Sequence, residues 1–318
     1  MDDKRDLLAI DDLSPEELKK IIHWAISAKQ DDGLFEEFMP LTGLTIGSIY
    51  EKPSTRTRVS FEVGIDKLGG NPLTLLKGDI QLGKSESIED TAAVLSRYLG
   101  AITYRCFEHS DVEKLANGST VPVINALSDK HHPCQAAADM MTIAENFDDL
   151  SGIKVAWVGD GNNVLHDLML GAAALGMEMH YAVPEGFEPD QEIVSRAKEI
   201  AKRKGGTIQM TNDPVEAVKD ANVVYTDVFV SMGEEDLKDK IDAFDGFQVN
   251  EELISNANSD YIFMHCLPAH RGEEVTDGVI DSKNSVVFDQ AENRMWAQMS
   301  ILTFLIHPAA WEAFSELH

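Results

Sequence analysis

The feature that most constrains this chain is a rhythm of short apolar strands and amphipathic helices that runs once and restarts near residue 150. Ser14-Pro15-Glu16-Glu17 offers an N-cap and a first-turn proline, and Leu18, Ile21, Ile22 and Ala25 continue as one apolar stripe. Leu44–Tyr50 then reads as a strand, and a helix follows from about Thr55 to Leu68, stopped by Gly69-Gly70. A further helix is expected over Ser87–Leu99, with strands at Ala101–Tyr104 and Val121–Asn125. After the break Asp148–Gly152 come a buried strand Ile153–Gly159 and a helix Val164–Leu175. Strands at 179–182, 207–210, 223–225, 261–264 and 285–289 follow, with helices at 190–203 and 214–219. A last helix is expected from about Ala291 to Leu305. Such alternation predicts an α/β chain of two doubly wound parallel-sheet domains, 1–150 and 151–290.

Composition limits what the domains can meet. No stretch of eighteen residues lacks charge, so no transmembrane helix is expected. Met1-Asp2-Asp3-Lys4-Arg5-Asp6 has no apolar signal core, so the expected location is the cytoplasm. Three cysteines, Cys106, Cys134 and Cys266, form no CxxC pair and support neither a disulfide framework nor a zinc site. With 27 Lys and Arg against 55 Asp and Glu, the formal charge is −28. Neither nucleic acid nor anionic membrane is an expected partner for such a surface. The charge is equally that of an ordinary acidic protein or of one adapted to a salty cytoplasm, where ions screen the repulsion. In either case an anionic substrate needs a local positive pocket.

Four segments carry candidate chemistry. Pro53-Ser54-Thr55-Arg56-Thr57-Arg58 lies between a strand and a helix. Ser54 suits an N-cap, and the backbone N–H groups, hydroxyls and guanidiniums around it make a phosphate cradle at a βα turn. His131-His132-Pro133-Cys134-Gln135 opens an apolar helix and reads as a packed histidine or as donors aimed at a carbonyl and an amide. Arg105, at the end of its strand, has a similar double reading. His265-Cys266-Leu267-Pro268 follows a strand, so His265 and Cys266 face opposite ways. No base sits beside Cys266 to make it a nucleophile; it acts on an amine or fills space. Asp227-Val228-Phe229-Val230-Ser231-Met232-Gly233 is too apolar for an idle surface loop, and Asp227 suits an ammonium group.

Together these motifs resemble the aspartate/ornithine carbamoyltransferase family. Its S-T-R-T-R stands as Ser54–Arg58 and its H-P-x-Q as His132–Gln135. The ornithine branch's D-x-x-x-S-M-G stands as Asp227–Gly233, and its H-C-L-P as His265–Pro268. The match runs in order from about residue 5 to the final helix.

The resemblance implies an N-terminal carbamoyl phosphate domain, an ornithine domain, two connecting helices and a last helix, 291–318, that returns to the first domain. It implies a homotrimer, or a multiple of trimers, whose active site lies between domains at a subunit border. Ser54, Thr55, Arg56 and Thr57 match the phosphate cradle, with Arg294 as a further phosphate-side arginine. Arg105, His132, Pro133 and Gln135 match the carbamoyl end, and Gln81 matches a residue given by the neighbouring subunit. Cys266 and Leu267 match positions beside both substrates; Asn163, Asp227, Ser231 and Met232 match the ornithine contacts. Arg105, His132 and Cys266 are the expected catalytic groups, Arg58 is expected to serve structure, and Lys84-Ser85-Glu86-Ser87 looks like the family's mobile loop. The implied reaction carries the carbamoyl group from carbamoyl phosphate to the δ-amine of ornithine, giving citrulline and phosphate in arginine metabolism. It needs no metal and no cofactor.

Two other classes compete with this resemblance. Gly159-Asp160-Gly161-Asn162-Asn163-Val164 approaches a nicotinamide fingerprint, but Val164 stands where Gly or Ala should pack the helix on the strand. A non-catalytic binding protein of the same fold would have lost motif residues, and this chain keeps them.

Overall fold

The structure, a computed structural model, describes residues 4–83, 85–230 and 238–317. In chain order the first elements are α1 (Pro15–Gln30), β1 (Thr45–Tyr50), α2 (Arg56–Lys67), β2 (Asn71–Leu76), α3 (Ile88–Leu95), β3 (Ala101–Arg105), α4 (His109–Gly118), β4 (Val123–Leu127) and α5 (Pro133–Asn146). Then come β5 (Lys154–Val158), α6 (Asn163–Ala174), β6 (Glu178–Ala182), α7 (Gln191–Lys204), β7 (Thr207–Thr211), α8 (Pro214–Val218) and β8 (Val223–Thr226). The chain ends with α9 (Glu251–Ile254), β9 (Ile262–His265), α10 (Asp277–Ile280), α11 (Val287–Ile306) and α12 (Pro308–Leu317). Two compact units result: Met1–Met141 with Glu292–His318, and Thr142–Ala291. The divisions fall inside α5 and α11, and α11 from Glu292 onward belongs to the first unit.

In the first unit a parallel sheet runs in the order β2-β1-β3-β4. The order of strands reverses between β1 and β3, where open α/β sheets bind ligands. Ile49, Ile102 and Tyr104 look toward one core with Ala92, Val112 and Leu115. The alternate residues Ser48, Tyr50, Thr103 and Arg105 share the other face through the pairs Ser48↔Thr103 and Tyr50↔Arg105. α2 runs close to α11 there, because a Cβ on Gly64 would come 3.0 Å from the Met299 side chain. At the start, Ser14 and Glu17 form a capping box on α1.

In the second unit the parallel order is β7-β6-β5-β8-β9, reversing between β5 and β8. Its core gathers Ala156, Val158, Val224, Phe229, Phe244 and Phe263. Gly205, at φ +87, closes α7 in the left-handed conformation.

Three expectations are corrected. Ser285–Asp289 is not a strand: Ser285 makes one bridge to Phe263 and α11 starts at Val287. The run Ser-Val-Val-Phe is apolar enough for either state, and its length does not decide between them. α3 ends at Leu95 rather than Leu99. The last helix expected over 291–318 is broken at His307 into α11 and α12, and β2, α4, α9 and α10 lie where no element was expected.

Candidate active site

In the first unit the site forms where β1 and β3 part. The helix cap falls on Thr55, not Ser54; Thr55 is already helical and its side chain makes no capping bond. The first N–H groups of α2 therefore point out of the helix without a side-chain acceptor from the cap, as anion binding at a helix start requires. Arg58 turns to the outside and pairs with Glu62 at 2.9 Å.

Thr57 is buried, and two guanidiniums converge on its hydroxyl: Arg294 donates at 2.8 Å and Arg105 at 3.4 Å. A hydroxyl has two lone pairs and one proton. With both lone pairs taken, its proton is directed to a third partner, which makes Thr57 a donor. Arg294 also donates to the Gln135 side-chain oxygen at 2.9 Å. His132 lies buried beside this group. Burial first, then the charges of Arg294 and Arg105, hold its pKa well below the usual histidine range. The imidazole is thus neutral at neutral pH, and the backbone carbonyl of His132, just before α5, accepts the N–H groups of Gln135 and Ala136. Pro133 is the first residue of that helix. Tyr50 shares the sheet face; burial pushes its phenol up to about 12, against the pull of the two arginines.

Arg56 is half-buried at the first position of α2, next to Ser54 and Thr55. Gln81 stands apart. It is exposed, its side-chain oxygen accepts from Ser85 at 3.1 Å, and among the described residues no hydrogen bond joins it to the arginine cluster. Lys84, in the expected mobile loop, lies outside the described residues.

In the second unit the site forms at the ends of β5, β8 and β9. Asp227 follows β8 and collects three donors. Its Oδ1 accepts from the Cys266 thiol at 3.0 Å and from the Val228 N–H at 2.8 Å. Its Oδ2 accepts from Asn162 Nδ2 at 2.9 Å. A carboxylate offers about four lone-pair sites, and the described residues fill three of them, which leaves one for a further donor such as an ammonium. Asn162 is also the N-cap of α6, accepting from Val164 and Leu165. Asn163, which the resemblance matches to an ornithine contact, is the first residue of α6, next to Asn162. Ser231 and Met232 lie outside the described residues.

His265 and Cys266 are expected to face opposite ways, but β9 ends at His265, and a ring nitrogen of His265 and the Cys266 sulfur come within 4.8 Å of each other while taking different partners. His265 Nδ1 accepts the Leu267 N–H at 2.9 Å, which leaves the ring proton on Nε2, 3.1 Å from the buried Glu274. Leu267 itself is left-handed, at φ +59, a conformation that few side-chain-bearing residues adopt. The ligand atoms of Asp227, His265 and Cys266 lie within 4.8 Å of one another, close enough for a metal. Each is already committed: both His265 nitrogens have partners and the thiol donates to Asp227. The cluster reads as a hydrogen-bonded frame.

Nothing in the sequence singled out Lys240, whose ammonium is buried against the Asp160 carboxylate at 2.8 Å. Trp157 donates to the Asp160 carbonyl at 3.0 Å, so the turn after β5 is held from both sides. Gly161 is needed there for packing, since a Cβ would collide with the Phe187 carbonyl. That contact accounts for a glycine which the nicotinamide reading would assign to a cofactor.

The comparisons with known proteins fall on the same two halves. The model for the carbamoyl-P binding domain of aspartate/ornithine carbamoyltransferase matches residues 5–145, and the model for the Asp/Orn binding domain matches residues 151–305. The chain belongs to the aspartate/ornithine carbamoyltransferase family. Among its curated relatives is the ornithine carbamoyltransferase of Anoxybacillus flavithermus, 52% identical over 95% of this chain and 96% of that protein. The catabolic ornithine carbamoyltransferase of Thermoplasma acidophilum is likewise 52% identical, over 95% of this chain and 99% of its own length. Among solved structures, the ornithine carbamoyltransferase of Pyrococcus furiosus superposes with a TM-score of 0.92 at 52% identity, covering 95% and 97% of the two chains. Against this family the doubly wound fold expected from the sequence holds in both units. Among the described residues no helix is long and apolar enough to cross a membrane.

Proposed function

We propose that this carbamoyltransferase moves the carbamoyl group of carbamoyl phosphate to the δ-amine of L-ornithine, releasing L-citrulline and phosphate. The observation that carries the donor half is the meeting of Arg105 and Arg294 on Thr57, a buried cationic cluster at a sheet switch point in a chain of charge −28. A pocket of that sign suits a small, multiply charged anion.

Ser54, Thr55, Arg56, Thr57 and Arg294 hold the phosphoryl end, with Gln81 of a neighbouring copy completing it. Arg105, His132, Pro133 and Gln135 surround the carbamoyl end, and Leu267 lines the acceptor side. The neutral His132 donates to the carbonyl oxygen without adding charge, while Arg105 meets the oxyanion as it grows. An alkyl amine has a pKa of roughly 10.4, so the nucleophile must first be made neutral. Cationic surroundings lower that pKa, and the departing phosphate takes the proton. Cys266, fixed by Asp227, positions the amine and forms no covalent bond.

Asp227 keeps a lone pair for the α-ammonium, and Asn163, Ser231 and Met232 surround the amino-acid end. N-acetylornithine would leave Asp227 without its cation, and putrescine would leave the carboxylate contact unmade. We place the enzyme in the cytoplasm, as a trimer or a multiple of trimers. Exposed Val59 and Val63 on α2 and Leu73 and Leu76 on the edge strand β2 support a subunit contact on the first unit.

The test is carbamoylation assayed in parallel with ornithine, putrescine, N-acetylornithine and aspartate. Citrulline formation that exceeds the other three products by about 10²-fold or more supports the reading; preference for any other acceptor overturns it.

A further inference from the structure

Gln135 sits between two groups that each dictate the orientation of its amide. On one side Arg294, which only donates, is 2.9 Å from Oε1. On the other, Nε2 donates to Asp139 Oδ1 at 2.8 Å. The Asp139 oxygen is the acceptor there, so the two neighbours agree, and a flipped amide would turn its N–H groups toward Arg294 and its oxygen toward the Asp139 oxygen. Asp139 is fully buried, one turn along α5 from Gln135 in the run Ala136-Ala137-Ala138-Asp139-Met140-Met141. Burying a carboxylate is costly unless hydrogen bonds compensate it.

We propose that Asp139 is a positioning residue that makes Gln135 a reader of the carbamoyl group. The inference rests on the function proposed above. An amide side chain has two N–H donors and two lone pairs. Asp139 takes one N–H and Arg294 takes one lone pair. What remains is one donor and one acceptor on the same planar group, the complement of the amide-like end of the donor substrate, with its carbonyl oxygen and its amino group. Inorganic phosphate has no such end, so this lock reads carbamoyl phosphate and is indifferent to the phosphate product.

The experiment compares Asp139→Leu and Asp139→Ala with the wild type. The readouts are the KM of carbamoyl phosphate, its equilibrium binding by calorimetry, and the inhibition constant of inorganic phosphate. The proposal expects carbamoyl phosphate to weaken by about tenfold or more while phosphate inhibition moves less than about threefold. Asp139→Glu, which keeps an acceptor, should recover part of the loss. A parallel weakening of both ligands would assign Asp139 to charge or scaffold alone and overturn the proposal. So would unaltered carbamoyl phosphate binding in Asp139→Leu, the variant that fills the space and decides should the alanine form fail to fold. A wild type that binds carbamoyl phosphate but makes no citrulline would sink the functional reading instead, and the calorimetric comparison would still judge Asp139.

Discussion

Arg294 and Thr57 are 237 positions apart in the chain, yet the guanidinium donates to the hydroxyl at 2.8 Å. Arg105 reaches the same oxygen from β3, so one small hydroxyl joins two buried cations where β1 and β3 part.

Thr57→Val keeps the shape and removes the shared acceptor. The arginines lose their common partner and the ligand loses a donor. Steady-state kinetics should show kcat/KM for carbamoyl phosphate falling on the order of 10²-fold, about 3 kcal/mol. The ornithine KM should move little. A loss confined to ornithine would refute the assignment.

Cys266 gives a second prediction. Its thiol donates to Asp227, and the proposed role is to frame the acceptor site without attacking. Cys266→Ser retains a donor at that point. It should keep turnover within about tenfold of wild type, with the ornithine KM raised and no burst of covalent intermediate. Abolished turnover together with a trapped carbamoyl-enzyme in the wild type would reverse this view.

These two groups also mark how far the sequence could be read. Ser54–Arg58 and Asp227 stand out in the sequence because each couples an unusual residue set to an expected strand end, and open sheets bind ligands there. Partners that meet only through the fold were not. Asp139 looks like one polar residue in an apolar helix, and Lys240 like one more surface lysine, until Gln135 and Asp160 come beside them. Asn162 likewise meets Asp227 only because the end of β8 comes beside the start of α6. β2 escaped notice because it carries Pro72 and lies exposed along most of its length, without the alternating burial that marks a strand.

His132 sets the pH behaviour. Its folded pKa lies below the ordinary value of about 6.5, because burial and two arginines oppose its charge. Below that pH the unfolded chain binds a proton that the folded chain refuses, so stability is full above about pH 6.5 and falls as the pH drops. The slope for one such group approaches about 1.4 kcal/mol per pH unit. His132→Asn removes it. Denaturant titrations at stepped pH should show the variant losing less stability than wild type from about pH 6.5 to 5.5. Equal slopes in the two proteins would show that His132 is charged in the fold.

Salt separates the surface from the site. A net charge of −28 repels itself in the compact state, and ions weaken that repulsion. The screening length falls from about 10 Å at 0.1 M to about 3 Å at 1 M. Raising KCl from about 0.1 to about 1 M should therefore stabilise the fold by about 1–2 kcal/mol, a few degrees in Tm. The Thr57, Arg105 and Arg294 cluster is buried, and buried charges are screened much less. The KM of carbamoyl phosphate should accordingly change less than about threefold over the same range. Calorimetric melts and kinetics on one salt series check both halves. A KM that climbs about tenfold while Tm stays flat would mean that exposed charge, not the buried cluster, holds the donor.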